Sequence, residues 1–176
     1  MFVANHTSFM DIYYVAKALG FRNYNFVAKK ELLKVPILAR AMKTSHHILL
    51  DRDDRRSQLN AFKRGVKGLK TDGMNVVTFA EGTRSPDGVL RDFKKGAFKM
   101  AQSAGAPVVP LSIAYAQDVQ PTKYIFPKRP GRFGKRKAKI VVGTPVETVG
   151  KSDEEVVQEI RKNMIEKLPE SQRPVE

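Results

Sequence analysis

MFVANHTSFMDIYYVAKALG, residues 1–20, runs from a short apolar segment through a polar turn into a stretch of helix-forming residues that ends at a glycine. Residues 2–4 are predicted to end a strand. Residues 8–19 are predicted to form a helix that stops at Gly20, because glycine commonly follows the last turn of a helix. This passage from strand through polar turn to helix predicts that the fold is built from strands and helices in alternation.

The rest of the chain continues the alternation. Strands are predicted at residues 24–28, 46–50, 75–79, 108–115 and 138–142. Helices are predicted at residues 30–43, broken at Pro36, and at 57–69, 95–104 and 153–168. The pattern predicts an α/β layered fold with a mostly parallel central sheet flanked by helices. Sites in such folds lie at the carboxyl ends of the strands, which places residues 5–11 and 80–88 together.

Composition bounds the classes of function. The 176 residues fit a single domain, residues 1–176, and 32 Lys and Arg against 18 Asp and Glu give a net charge of +14. Such a charge attracts nucleic acid, anionic lipid or phosphorylated substrates. The absence of cysteine excludes a disulfide framework, a thiolate zinc site and a cysteine nucleophile. No apolar run approaches the ~20 residues that a membrane-spanning helix needs.

His6 and Asp11 place an imidazole and a carboxylate at the predicted junction of strand and helix. Side chains on one face of a helix are three or four positions apart, so His6 is expected to precede the helix and fold back over its first turn. Asp11 would then hold one ring nitrogen while the other serves as a general base. Two other interpretations stay open: Ser8 and Asp11 match a helix capping box, and Ser8 is a conceivable nucleophile that lacks the flanking glycines of a hydrolase serine.

The second polar segment, FAEGTRS at residues 79–85, follows an apolar strand. Gly82 allows a ligand to approach the backbone, Thr83 offers a hydroxyl, and Arg84 offers a planar guanidinium that suits phosphate. The combination predicts a phosphate-binding loop, although it lacks the spacing of a Walker loop. A solvated surface turn is the alternative interpretation of this loop taken alone.

Four blocks of sequence in this order resemble the glycerolipid acyltransferase family, especially its lysophosphatidate acyltransferases. Residues 5–11 are similar to the family's Asn-His-x-Ser-x-x-Asp motif and residues 79–85 to its Phe-x-Glu-Gly-Thr-Arg-Ser block. The segment from Lys30 to Pro36 is similar to its Lys-x-x-Leu-x-x-x-Pro block, and residues 109–111 to its Val-Pro block. The resemblance covers about residues 1–115.

This resemblance implies direct transfer of a fatty acyl group from a thioester, acyl-CoA or acyl-carrier protein, to the free hydroxyl of lysophosphatidate. It implies that His6 is the general base and that Asp11 orients it. The residues implied to bind the acceptor are Glu81, Gly82, Thr83, Arg84 and Lys30. No metal, cofactor or acyl-enzyme intermediate is required by this chemistry.

The resemblance also implies a membrane setting. Family members usually have an N-terminal membrane-associating region, which we expect this chain to lack, and the bacterial inner membrane or the plastid envelope is the implied location. The dense basic run at residues 128–139 is expected to bind anionic lipid, at about 1 kcal/mol per basic residue near the surface. A solvated loop is the alternative interpretation of that run.

Other polar clusters carry structural predictions. His46 and His47 are adjacent, so on a strand they face opposite sides and are expected to be structural rather than metal ligands. The acidic residues at 51, 53 and 54 alternate with arginines and lack calcium-loop spacing, so an ion-paired turn is expected there.

Three other functions remain as alternatives. The charge and the basic run would suit a nucleic-acid-binding module, but no RNA- or DNA-binding motif is found and no nucleic acid partner is expected. A thioester hydrolase would use water where the acyltransferase uses a lipid hydroxyl. Another lysophospholipid, or glycerol 3-phosphate, could replace lysophosphatidate as the acceptor.

Overall fold

The computed structural model describes residues 1–21, 23–34, 39–40, 42, 44–45, 47–122 and 137–174. A central sheet lies between helices, which confirms the predicted α/β fold. The strands are β1 (Phe2–Ala4), β2 (Tyr24–Lys29), β3 (Ile48–Leu50), β4 (Asn75–Phe79), β5 (Val109–Ala114) and β6 (Lys139–Val142). The helices are α1 (Asp11–Ala18), α2 (Arg55–Lys70), α3 (Gly96–Ala104), α4 (Ala116–Val119) and α5 (Asp153–Lys167), with 3-10 turns at Lys30–Lys34 and Glu170–Gln172.

The strand order is β3-β2-β4-β1-β5-β6, and every neighbouring pair is parallel except β5 and β6. β1 therefore lies inside the sheet with β4 and β5 on its two sides. The turns that follow β1 and β4 leave the same edge, and the backbone N–H of Ser85 donates to the carbonyl of His6 at 2.7 Å. The predicted proximity of residues 5–11 and 80–88 is confirmed.

The sheet buries an apolar layer on each face, because successive side chains of a strand point to opposite sides. Val3 and Val76 belong to the layer covered by α2, α3 and α5, whereas Ala4 and Val77 belong to the layer covered by α1 and α4. Phe98 is at the centre of the first layer and is fully buried. Three of the helices thus lie on one face, and α1 is the longest described helix on the other.

β2 changes its partner halfway along. Tyr24–Phe26 pair with β4, from Tyr24 opposite Asn75 to Phe26 opposite Val77, and the last three residues of β2 pair with β3 instead. Over its last residues β4 stays paired with β1. The carboxyl ends of β2 and β4 therefore separate, and this separation positions the cavities described below.

Three boundaries differ from the sequence predictions. α1 begins at Asp11 rather than near residue 8, because the carboxylate of Asp11 accepts the N–H groups of Thr7 and Ser8 and holds them in a turn. The segment after β2 is a 3-10 turn, and residues 39, 40, 42 and 44 are helical, while Pro36 lies outside the described residues. β3 begins at Ile48, and His46 also lies outside the described residues.

Among the described residues, no helix is long and apolar enough to cross a bilayer.

Candidate active site

His6 follows β1 directly, and its ring is fixed from two sides. It stacks on Phe79 at the end of β4, with ring centroids 3.9 Å apart and planes 13° apart. Its Nδ1 lies 2.9 Å from Oδ2 of the fully buried Asp11. Because an ionised carboxylate only accepts hydrogen bonds, the hydrogen of a neutral ring resides on Nδ1. Nε2 is left with the lone pair that a general base uses.

Asp11 both stabilises the turn between β1 and α1 and orients the imidazole. Its Oδ2 accepts from the backbone N–H groups of Thr7 at 2.7 Å and Ser8 at 2.8 Å as well as from His6. Its position in the first turn of α1 also favours a negative charge. The capping box predicted from Ser8 and Asp11 is not formed, because the N-cap of α1 is Met10 and it makes no side-chain capping bond. One oxygen of Asp11 instead holds the turn before the helix and orients the imidazole.

The hydroxyl of Ser8 has a different partner. It donates to Oε1 of Gln120 at 3.0 Å and accepts from the N–H of Met10 at 3.1 Å, and Ser8 is fully buried. The structure therefore directs this hydroxyl toward Gln120 rather than toward His6, and it gives no support to Ser8 as a nucleophile.

Glu81 supports the loop that carries the histidine. Its Oε1 accepts from the N–H of His6 at 2.9 Å and its Oε2 from the N–H of Arg91 at 3.3 Å, with only 2% of the residue exposed. The sequence interpretation placed Glu81 among the acceptor-binding residues. The structure places its carboxyl group beneath the pocket wall, where both oxygens already have backbone donors.

The burial of Glu81 has an electrostatic consequence. Burial raises the pKa of its carboxyl group to about 7, against the lowering effect of the two backbone N–H donors of His6 and Arg91. Between the ordinary value near 4.5 and about 7, the folded state binds this proton more tightly than the unfolded state. Glu81 therefore contributes stability that is complete below pH ~4.5 and is lost as the pH rises through about 7.

The Gly82-Thr83-Arg84 loop reaches the same pocket as His6. Gly82 has φ of +71°, a left-handed conformation that favours glycine. Thr83 and Arg84 are exposed and line, together with His6, a pocket of about 200 Å³. Within the described part of the chain, Arg84 has no carboxylate partner, so its guanidinium is available to an anion.

Two further cations line this pocket, and sequence reasoning did not select them. They are Lys29, at the end of β2, and Arg52, whose guanidinium donates to the carbonyl of Gly82. Lys30, which was selected, does not line the pocket, and its Nζ lies 3.9 Å from Asp51. The signal for Lys29 was present, because Lys-x-x-Leu-x-x-x-Pro counted back from the proline at position 36 begins at residue 29.

A second cavity of about 460 Å³ opens on the other side of the separation between β2 and β4. Its walls are mostly apolar and include Leu50, Phe62 and Met100. It shares six lining residues with the His6 pocket: Val27, Ala28, Lys29, Arg52, Phe79 and Gly82. The two cavities therefore meet at the carboxyl ends of β2 and β4, next to the imidazole.

The remaining polar clusters are structural where they are described. Nδ1 of His47 accepts from the N–H of Phe26 at 3.3 Å, and burial lowers the pKa of the His47 ring. Asp54 caps α2 by accepting from the N–H of Arg56 at 2.8 Å. No group of three or more potential metal ligands occurs among the residues that the structure describes. Residues 128–136 of the basic run lie outside them.

Comparison with known proteins agrees with the geometry. The family model described as acyltransferase matches residues 1–114. The chain belongs to the acyltransferase family. The structure is similar to the crystal structure of the 1-acyl-sn-glycerophosphate (LPA) acyltransferase PlsC from Thermotoga maritima, with a TM-score of 0.73 and 32% identity over 93% of this chain and 62% of that chain.

Several curated relatives of this chain are named as 1-acyl-sn-glycerol-3-phosphate acyltransferases. A chloroplastic 1-acyl-sn-glycerol-3-phosphate acyltransferase from Brassica napus is 41% identical over 122 residues, which are 69% of this chain and 35% of the relative. A 1-acyl-sn-glycerol-3-phosphate acyltransferase from Limnanthes alba is 30% identical over 99% of this chain and 61% of the relative. The chain thus spans about a third of the first relative and three fifths of the second.

Proposed function

We propose that the chain transfers a fatty acyl group from a thioester donor to the free hydroxyl of lysophosphatidate and so forms phosphatidate. The observation that carries this proposal is that His6, held 2.9 Å from Asp11, lines one pocket with Arg84, whose guanidinium has no carboxylate partner among the described residues. The names of the relatives, which specify 1-acyl-sn-glycerol-3-phosphate as the substrate of those proteins, support the same acceptor.

In the proposed reaction, Nε2 of His6 accepts the proton of the acceptor hydroxyl as its oxygen attacks the thioester carbonyl. Asp11 stabilises the imidazolium that forms, because its carboxylate already accepts from Nδ1. The tetrahedral intermediate then expels the thiolate of the donor, and the imidazolium returns the proton to that sulfur. The ester bond forms, the thioester bond breaks, and the histidine regains its starting state without a cofactor.

The acceptor phosphate is assigned to the cationic part of the His6 pocket. Arg84 and Lys29 provide the positive charges. The guanidinium of Arg52 stabilises the loop by donating to the carbonyl of Gly82. A phosphate in this position would be bound while the glycerol hydroxyl points to the imidazole. Glu81 would contribute by fixing the backbone of His6 rather than by contact with the phosphate.

The apolar cavity is assigned to the acyl chain of the donor. At about 460 Å³ it is within the range of small-ligand pockets, and its walls would exclude water from the thioester. Because it meets the His6 pocket beside Phe79, the donor carbonyl and the acceptor hydroxyl could approach each other from opposite sides. The proposal takes acyl-CoA or acyl-carrier protein as donor and a bacterial inner membrane or plastid envelope as location.

Product analysis tests this function. The chain would be incubated with radiolabelled acyl-CoA or acyl-carrier protein and, in turn, lysophosphatidate, another lysophospholipid or glycerol 3-phosphate. The expected product is labelled phosphatidate with at least one donor. Labelled free fatty acid as the only product would show a hydrolase, and preferential labelling of another acceptor would replace lysophosphatidate.

A further inference from the structure

Three exposed aromatic side chains lie on α1 or next to its ends. Phe9, Tyr13 and Phe21 are 42%, 47% and 57% exposed, although residues of this size are usually buried. Tyr13 and the exposed Lys17 lie four positions apart on one side of α1, whereas Phe9 precedes the helix and Phe21 follows it. Phe21 folds back against Tyr13, and the four residues are here called the α1 strip.

The backbone turns after α1 and brings Phe21 back against the strip. Phe21 has φ of +56°, an unusual conformation for a bulky residue, and its N–H donates to the carbonyl of Ala16 at 2.8 Å. In this arrangement its ring lies against that of Tyr13, with centroids 6.0 Å apart. An aromatic residue held outward in a strained conformation suggests a use at that surface.

The strip is continuous with the candidate active site. Phe9, its first residue, lines the His6 pocket together with Ile12 of α1. Phe9 therefore connects the α1 strip with the entrance of the pocket.

We infer that the α1 strip is the surface by which the protein docks on an anionic phospholipid bilayer. Aromatic residues with a lysine, and with no acid among them, suit the interface between headgroups and acyl chains. The net charge of +14 favours an anionic surface. This inference rests on the proposed function in one respect, because a lysophosphatidate molecule held in the bilayer could enter the His6 pocket directly beside Phe9.

Single tryptophan reporters test the location, since the chain has no tryptophan of its own. Tyr13→Trp places the reporter in the strip. Leu59→Trp, at a residue 52% exposed on α2 and therefore on the opposite face, is the matched control. With vesicles of phosphatidylcholine and phosphatidylglycerol, Tyr13→Trp emission should shift to shorter wavelength and be quenched by brominated lipid, while Leu59→Trp emission should change little.

Loss-of-binding variants test the energetics. Tyr13→Gln combined with Phe21→Asn removes two rings and suits the left-handed backbone at position 21, whereas Leu59→Gln is the control. We expect the double variant to bind vesicles at least about tenfold more weakly. Its apparent KM for lysophosphatidate in vesicles should rise accordingly, with kcat for a water-soluble short-chain acceptor unchanged.

Three outcomes would overturn the inference: equal vesicle binding by the double variant and the wild type, equal spectral shifts of the two reporters, or a Tyr13→Trp shift that depends on protein concentration without lipid. The last would show that a second copy covers the strip. If vesicle binding follows the expectation while no acceptor is acylated, the docking surface stands and the proposed function fails.

Discussion

Replacing Asp11 with asparagine separates the charge of this side chain from its shape. The asparagine oxygen can take the place of Oδ2 and keep its three donors. Its amide group would occupy the site of Oδ1, which is buried and has no hydrogen-bond partner among the described residues. The variant should therefore fold. It loses only the negative charge that faces the imidazolium of His6 during the reaction.

The magnitude follows from the geometry of the pair. Two opposite charges about 4 Å apart attract by about 4 kcal/mol near a protein surface, and the asparagine dipole retains part of this. A net loss of about 2–3 kcal/mol in the transition state corresponds to a decrease of about 30- to 150-fold in kcat. Folding should weaken by a similar amount, about 2–3 kcal/mol, because the N–H groups of Thr7 and Ser8 lose the charge assistance of their acceptor and the new amide group is buried at a site with no acceptor among the described residues.

The assay is steady-state acylation of lysophosphatidate at saturating concentrations of both substrates, together with thermal unfolding. Asp54→Asn is the matched control, since the Asp54 carboxylate also accepts a backbone N–H at the start of a helix but is not hydrogen-bonded to His6. The control should keep the kcat of the wild type. If Asp11→Asn also keeps it, Asp11 only stabilises the turn and the orienting role is refuted.

Three further predictions concern the loop after β4. Arg84→Ala should raise the KM for the acceptor by about 10- to 150-fold, the loss of one charge-assisted contact, and an equal rise in the donor KM would contradict the phosphate role. Glu81→Gln should remove a pH dependence of the unfolding free energy. The wild type should lose about 2–3 kcal/mol of unfolding free energy between about pH 5 and 8 as this carboxyl group ionises, and the variant should not. Parallel curves of unfolding free energy against pH for the two proteins would refute this. Gly82→Ala should lower the unfolding free energy in urea by about 1–2 kcal/mol, given its left-handed φ, and an unchanged midpoint would show that the loop relaxes freely.

Local sequence patterns correctly predicted the features that depend on neighbouring residues. The alternation of strands and helices predicted the α/β class, and a position just before α1 allowed His6 to fold back onto Asp11. The predicted meeting of residues 5–11 with the Arg84 loop followed from a general property of parallel sheets. These inferences needed the order of the elements but not the order of the strands.

The features that sequence reasoning missed depend on contacts between distant residues. Glu81 points inward and accepts a hydrogen bond from the N–H of His6, which lies 75 positions away in the sequence. The hydroxyl of Ser8 donates to Gln120, which lies 112 positions away. The change of partner along β2, which separates the strand ends and creates the two connected cavities, depends on the placement of β3 at the sheet edge. The local periodicity of the sequence does not indicate these pairings.

Lys29 rather than the predicted Lys30 lines the His6 pocket, and this difference has a local cause. The two residues stand where β2 ends and a 3-10 turn begins, so the direction of each side chain depends on the residue at which the strand stops. Boundaries are the least reliable part of any sequence-based assignment. The spacing to Pro36 selects Lys29, the lysine that lines the pocket.

The catalytic role of His6 is tested by the turnover number of His6→Ala with lysophosphatidate and the preferred thioester, compared with that of His47→Gln. We expect His6→Ala to lower kcat by about 10²- to 10⁴-fold, as loss of a general base should, while it remains folded and still binds both substrates. His47→Gln should retain activity, because His47 does not line the His6 pocket and its ring contacts the backbone of Phe26 and the rings of Tyr24 and Phe26. Wild-type turnover in folded His6→Ala would show that acyl transfer proceeds without this imidazole and that His6 is not the general base.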